Sequence, residues 1–576
     1  MAIVKQGSTT LNSGAKGDKG DPGTGGASSP DIVVVTDLSE LQAVGANKIA
    51  SIQSDIDTGA TNITMAANTI IQFDGGQLTG TGIITGNLTD IRGAVIDASY
   101  FNNVSETEGY TFAGTWKVTD ISFNWFGLVD VVDAGFEYDN RKAIKNALYV
   151  AASSGHCDLN WYNNKPNSEW FVSALNYGIA GGYDDNINMG LYNTTNVNLI
   201  GHNFPKIHAI DNNVIPTLSL RSTIFQLFEA KYCTISGFEL IGDRQTATYL
   251  PEHKFGIIVS NNSDYSEIFE NNIHDFSGDA LIFEYQFYTG YPDKPELERD
   301  KWSTGIIDET TGLLDAAETD YMSTTTFLDI STDLFQDRGW LYVAGRMDVE
   351  SYYLSYYNAG GTFLGKSDAL EPYNRVYFPP TATQVKLTMW YQDTLDAARY
   401  IAINSYDYPI GVVLRDNELH HCDRQGISNV SHFTKILNNT IHHIFGNVAG
   451  PCAAIDLEDG SYFIYNVEIR NNVFQNTSGV QLLLKYNRNM IVEGNWFLEN
   501  DWIDDGNWTY YGDFSGGLSA PYCAGSVICG NHFTGKKINI GREIVFSNNY
   551  IKNTTISVEQ GSTIVSNNKL INTRIV

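Results

Sequence analysis

The sequence predicts an all-β chain wound into a parallel β-helix, on three observations: a recurring asparagine-led coil pattern, β-branched and aromatic runs in place of amphipathic helices, and a length beyond one compact core. Segments reading Asn-x-apolar, then polar residues, then Gly-apolar-x-apolar recur at Asn272, Asn417, Asn439, Asn472, Asn495, Asn531, Asn549 and Asn568. Asn417 to Asn439 is 22 residues, Asn472 to Asn495 is 23 and Asn549 to Asn568 is 19. Spacing of that size marks stacked solenoid coils. The 36 residues from Asn495 to Asn531 then read as a coil carrying a loop. Asparagines at one corner are expected to pair from coil to coil, as in stacked cross-β ladders, which makes them structural. At 576 residues the chain must be several domains or one long repetitive body.

Residues 1–30 hold glycine at 14, 17, 20 and 23, a collagen-like Gly-X-Y stretch in which only glycine fits beside the axis of three wound chains. Four triplets need a trimer enforced downstream, and the stretch otherwise reads as a flexible linker. Residues 31–130 carry short alternating runs such as Thr69-Ile-Ile-Gln-Phe and Thr81-Gly-Ile-Ile-Thr between glycine turns, a β-rich neck. The β-helix is expected over 131–299 and 406–576. It opens with one helix after Asp139, a plausible N-cap, with Ala143, Ile144, Ala147, Leu148 and Ala151 on one face to cover the end of the solenoid. Between 300 and 405 the coil pattern gives way to alternating runs such as Trp340-Leu-Tyr-Val and Gln384-Val-Lys-Leu-Thr-Met, expected to be an inserted antiparallel β-sandwich.

With 36 Lys+Arg against 66 Asp+Glu the net charge is −30, which argues against a nucleic-acid partner. The bland reading of the acidity is solubility. Six scattered cysteines lack zinc-site spacing and read as buried free thiols. No apolar run spans a membrane, and Met1 to Ser13 has no signal-peptide pattern, so synthesis in a cytosol and release by lysis are expected.

Three stretches resemble a family. The run Phe73-Asp-Gly-Gly-Gln-Leu, Gly80-Thr-Gly, Gly114-Thr-Trp and Asn124-Trp-Phe-Gly leading into Asp139-Asn-Arg-Lys-Ala-Ile is similar to pectate-lyase-like right-handed β-helix proteins of phages and bacteria. So are Gly242-Asp-Arg with Glu252-His-Lys-Phe-Gly-Ile and Gly278-Asp-Ala-Leu, and Asp423-Arg-Gln-Gly-Ile-Ser with Ala454-Ile-Asp-Leu-Glu. The resemblance covers most of 70–576 outside the insertion, which more loosely resembles jelly-roll carbohydrate-binding modules. It implies a homotrimeric phage tail spike in the virion, joined to the tail or baseplate through its N-terminus and engaging a bacterial surface polysaccharide. A polygalacturonase signature and the basic set of a calcium pectate lyase are both missing, so hydrolase and lyase chemistry stay open.

Aligning coils places Leu281, Ile427 and Ile455 inside and their neighbours outside. Asp456 and Glu458 then share the outer face about 6.6 Å apart, two strand steps, near the carboxylate separations of glycosidases. Glu284 is expected in the same column two coils earlier. Asp423, Asp279 and Asp243 complete the catalytic candidates, and Arg244, His253, Arg424 and Gln425 the polar binding candidates. Each also reads as a solvated strand face. Trp502, Trp508, Tyr510 and Tyr511 suit sugar stacking or, equally, a trimer interface. The doublets His420-His421 and His442-His443 invite a metal, but a doublet alone lacks convergent ligands, and neither metal nor cofactor is expected. Three functions compete: a polysaccharide depolymerase, a receptor-binding spike without catalysis, and a structural virion protein.

Overall fold

The computed structural model describes residues 30–96, 98–102, 109–130, 139–165, 168–173, 189–210, 222–245, 254–284, 302–318, 321–331, 340–344, 351–370, 376–390, 402–404, 409–428, 431–445, 452–458, 464–485, 487–499, 516–521, 523–559 and 561–576. The collagen-like stretch, His253 and the aromatic loop with Trp502, Trp508, Tyr510 and Tyr511 lie outside them.

Three long parallel sheets form the faces of a β-helix. Among the described residues the first face has twelve strands, from Asp120–Ser122 to Ile564–Ser566, and the other two have eleven each. The second runs from Glu169–Ser173 to Lys569–Ile571, and the third from Gly190–Thr195 to Arg574–Ile575. Each coil contributes one strand to each face, so a residue stacks on its equivalent one coil away. Leu281, Ile427, Ile455 and Leu482 stand in one such column, all fully buried. Phe474, Phe497 and Phe533 form another, with ring centroids 4.9 and 4.4 Å apart. Each such ring or aliphatic chain withdrawn from water contributes about 1.5–3 kcal/mol, and this repeated burial holds the coils together.

The corner between the first and second faces is an asparagine ladder. Nδ2 of Asn271 donates to Oδ1 of Asn417, and the same bond runs through Asn439, Asn472, Asn495, Asn531 and Asn549 to Asn568, at 3.0–3.1 Å. Each of these oxygens also accepts the backbone N–H of the asparagine before it, as Asn472 does from Asn439 at 2.8 Å. The residue preceding each ladder member is left-handed, from Glu270 (φ 55°) to Asn567 (φ 53°). The member contributed by the 270s is Asn271, not Asn272: the left-handed turn at Glu270 aims the next side chain inward, and Asn272 is already in strand.

The helix forms at Arg141–Ser154 and buries Ala143, Ile144, Ala147, Leu148 and Ala151. It packs on strands Thr111–Trp116, Cys157–Tyr162 and Gly190–Thr195. Asn140 rather than Asp139 occupies the cap position, its amide tied to both backbone groups of Val129, while the Asp139 carboxylate accepts the N–H of Arg141. The helix stops at Gly155 in the left-handed region.

From 302 to 404 the described strands are antiparallel. One sheet joins Trp302–Thr304, Tyr321–Thr324, Gln384–Trp390, Tyr352–Tyr357 and Phe363–Lys366, over a separate core that includes Leu341, Leu354 and Leu387. Across this stretch the coils pair directly: Glu267–Phe269 with Val413–Arg415, Asn272–His274 with Glu418–His420, and Asp279–Glu284 with Gln425–Ser428. Cys157, Cys233, Cys422, Cys452 and Cys523 are buried free thiols and Cys529 is half-buried; burial pushes the Cys157 and Cys422 thiols up.

Candidate functional site

The corner between the second and third faces is built from stacked turns that carry charge. Gly242 donates its N–H to the His274 carbonyl (2.8 Å), Arg244 to Asp275 (3.0 Å), Asp423 to Phe276 (2.9 Å) and Arg424 to Gly278 (3.3 Å). The turns lie so close that a Cβ on Gly242 would sit 2.2 Å from the Asp275 carbonyl oxygen, so only glycine fits.

This stacking gathers seven residues singled out in the sequence. Arg244 pairs with Asp423, and Arg424 reaches Asp279 at 3.2 Å. Lys254 pairs with Asp243, and Nε2 of Gln425 donates to the Asp456 carboxylate. Ser428 joins the group by donating to Asp279 at 2.6 Å. The columns explain the meeting: Ile282, Ser428 and Asp456 stand in register on the third face, next to the inward column of Leu281, Ile427 and Ile455. Ile282 belongs with Phe255 and Ile258 to an apolar cluster apart from the main core, so this column points away from the interior.

The expectation that these carboxylates form a solvated outer face is overturned. Asp279 and Asp423 are 0 % exposed, Asp243 4 % and Asp456 5 %. A carboxylate can be buried there because each has a cation or amide for a partner, from the next coil for Asp279 and Asp456, from two coils away for Asp423 and from its own coil for Asp243; without one, burial would cost several kcal/mol. Glu284 does not share the column of Asp456, since Ile282 holds that level and Glu284 lies two residues further along the strand. Glu284 and Glu458 close their strands, and their side chains fall outside the described set.

Two features bear on Asp423. Burial raises its carboxyl to about 6 against the pull of Arg244, with Asp275 adding to the rise. Its Oδ2 is buried without a hydrogen-bond partner, as are Nε of Arg424 and Oε1 of Gln425. Three successive residues therefore carry polar atoms that the protein leaves unused, where buried polar atoms are ordinarily satisfied.

A histidine stack flanks the group. His274, His420 and His442 are parallel at 4.6 and 4.9 Å, and His421 lies on His443 at 4.9 Å. Nε2 of His420 donates to Asn272 Oδ1 (3.0 Å), so neutral His420 accepts at Nδ1 from His421. His442 donates through Nε2 to Glu418 (3.1 Å), and its Nδ1 is hydrogen-bonded to Nδ1 of His443. Burial opposes charge on His274, but Asp275 and Glu239 outweigh it and hold the ring up at about 9. Burial together with the neighbouring His274 and His442 pushes His420 down to about 3. The two members of each doublet thus bond to one another, and among the described residues no three His, Cys, Asp or Glu side chains converge as metal ligands.

Lys254, Ser428, His274 and Asp275 were not singled out in the sequence as site residues. Register could have supplied Ser428, which is level with Asp456, and turn stacking Asp275, which precedes the turn of His421 by one coil.

No family model matches the chain, and no curated protein matches it. Solved structures do. The A-module of mannuronan C-5 epimerase AlgE4 from Azotobacter vinelandii is 10% identical over 79% of this chain and 97% of its own, with TM-score 0.37. Tailspike protein 2 of bacteriophage CBA120 is 9% identical over 78% of this chain and 46% of its own, with TM-score 0.31. The tailspike gp49 of Acinetobacter baumannii bacteriophage Fri1, a capsular polysaccharide depolymerase, is 9% identical over 77% and 63%, with TM-score 0.31. Likeness at this level says nothing about the chemistry of this chain.

Proposed function

We propose that the protein is a phage tail spike, trimeric in the virion, that binds and depolymerises a bacterial surface polysaccharide at the corner between the second and third faces. The observation that carries this reading is Asp423: a carboxyl raised to about 6 by burial, with one oxygen unused, beside two arginines and three further carboxylates. A carboxyl poised near neutrality protonates a glycosidic leaving oxygen, and the second carboxyl such a reaction needs is at hand in Asp279 or Asp456. Arg244 and Arg424 suit the acidic groups of such a glycan. The turns stack these groups from separate coils, which holds them in fixed relation.

A binding spike without catalysis is the second reading, favoured by the pairing of each described candidate carboxylate with a cation or amide of the same chain. Incubating the full-length protein with capsular polysaccharide separates the two. New reducing ends or an unsaturated-uronate absorbance are expected; retention of the polymer with neither would establish the binding spike. Light scattering at micromolar concentration is expected to give three times the chain mass, and a monomer mass would rule out the trimer.

A further inference from the structure

Among the last coils of the β-helix an open groove of about 670 Å³ is lined by Gly535, Lys537, Asn553, Thr554, Thr555, Asn572, Thr573 and Arg574. Two cations, amides and hydroxyls line it and no carboxylate does, although the chain carries a net charge of −30. Lys537, Thr555 and Arg574 stand in one column of the third face: Thr555 is level with Arg574, and Ile538, next to Lys537, with Ile556. Other described cations of the coils are paired, as Arg470 is with Glu468 and Glu493 and Arg542 with Glu559. Lys537 and Arg574 have no ion-pair partner among the described residues. Glu499, which packs beside Gly535, acts on the buried Lys536 instead. The hydroxyl of Thr554, 8 % exposed, is buried without a hydrogen-bond partner.

We propose that this groove is a subsite for an anionic sugar residue, its carboxylate taken by Arg574 and Lys537 and its hydroxyls by the threonine and asparagine side chains. A guanidinium matches a carboxylate with two parallel hydrogen bonds, and a cationic cleft in an acidic body concentrates anions. The site lies on the same face as Asp456. The columns run from Asp456 to Leu483, Ser519 and Asn539, three coils or about 14 Å at strand spacing, and Lys537 is on the strand of Asn539. One acidic glycan chain laid along the third face would meet both places. The assignment of this chain to the same polymer rests on the function proposed above; binding at the groove itself does not.

Ligand-observed NMR on the full-length protein tests it with methyl glucuronide, methyl glucoside and inorganic phosphate. The glucuronide is expected to bind about tenfold more tightly than the glucoside and than phosphate, and K537Q/R574Q to lose that preference. Thr554→Val, which removes the hydroxyl and keeps the shape, is expected to weaken glucuronide binding with the melting temperature unchanged or raised. It decides the matter if the double variant fails to fold. Equal binding of glucuronide and glucoside, phosphate binding as tightly as glucuronide, or binding untouched by the substitutions would overturn the subsite. Wild-type protein that cleaves no polysaccharide but shows the glucuronide preference would overturn the depolymerase alone, and cleavage without the preference the subsite alone.

Discussion

Two corners of the same β-helix bury polar side chains coil after coil, and they end in opposite states. At the asparagine ladder every rung repeats one residue, and an amide is both donor and acceptor, so identical neighbours satisfy each other without charge. At the corner of Asp275, His421 and Asp423 no residue repeats for long. Carboxylates, arginines, lysine and histidines must find unlike partners, and Asp423, Arg424 and Gln425 keep unused atoms. A self-complementary column closes a corner, whereas a mixed column leaves hydrogen-bonding capacity for a ligand.

The comparison breaks first at Asp423. Asp423→Asn should lower polysaccharide cleavage by about 10²–10⁴-fold, the usual contribution of a general acid. Wild-type cleavage should fall as pH rises through about 6, where the carboxyl loses its proton, and the variant should lack that limb. The sign for stability agrees: a carboxyl raised from 3.8 to about 6 on folding contributes stability that is full below the unfolded value and lost as pH rises through the folded one. Melting followed from pH 4 to 7 should show that slope in wild type and a shallower one in Asp423→Asn. An unchanged cleavage rate in the variant would move the acid to Asp279 or Asp243.

Next in size is the ladder. Asn472→Ala removes an amide buried between Asn439 and Asn495 and leaves their groups unpaired, at a cost of about 1–3 kcal/mol for each buried group; chemical denaturation reads the loss, and cleavage per folded trimer should not change. Smaller still is the contrast within one dipeptide. Asn271→Ala should destabilise like Asn472→Ala, while Asn272→Ala, which loses a single bond to a histidine at the surface of the second face, should stay near ±0.5 kcal/mol. Equal effects would mean that the ladder does not govern this corner. The smallest effect is expected from deleting residues 300 to 404, because the coils before and after already pair; the melting transition of the β-helix should be unmoved, and loss of cooperative melting would make the insertion part of its core.

Much of this contrast was legible in the chain. The ladder could be read at Asn417 through Asn568 because each rung depends on a short local pattern, a left-handed residue followed by asparagine, repeated once in every coil although the coils run from 18 to 36 residues. It slipped by one residue at Asn271, where two asparagines adjoin and only the backbone turn at Glu270 tells them apart. Asp243, Arg244, Asp279, Asp423, Arg424, Gln425 and Asp456 were all named from the sequence, but as exposed groups, and Ser428 was missed.

By itself, then, the sequence determined the succession of the coils, the inward columns and the asparagine corner, because these follow from local backbone preference and from apolar residues recurring at the same place in each coil. Only the tertiary structure decided which outward carboxylates are buried and what charges they face. The partners of Arg244 and Asp423 are 179 positions apart, those of Asp279 and Ser428 149, with the whole insertion between them. Over such separations the pairing is set by the stacking of coils, and no local pattern along the chain records it.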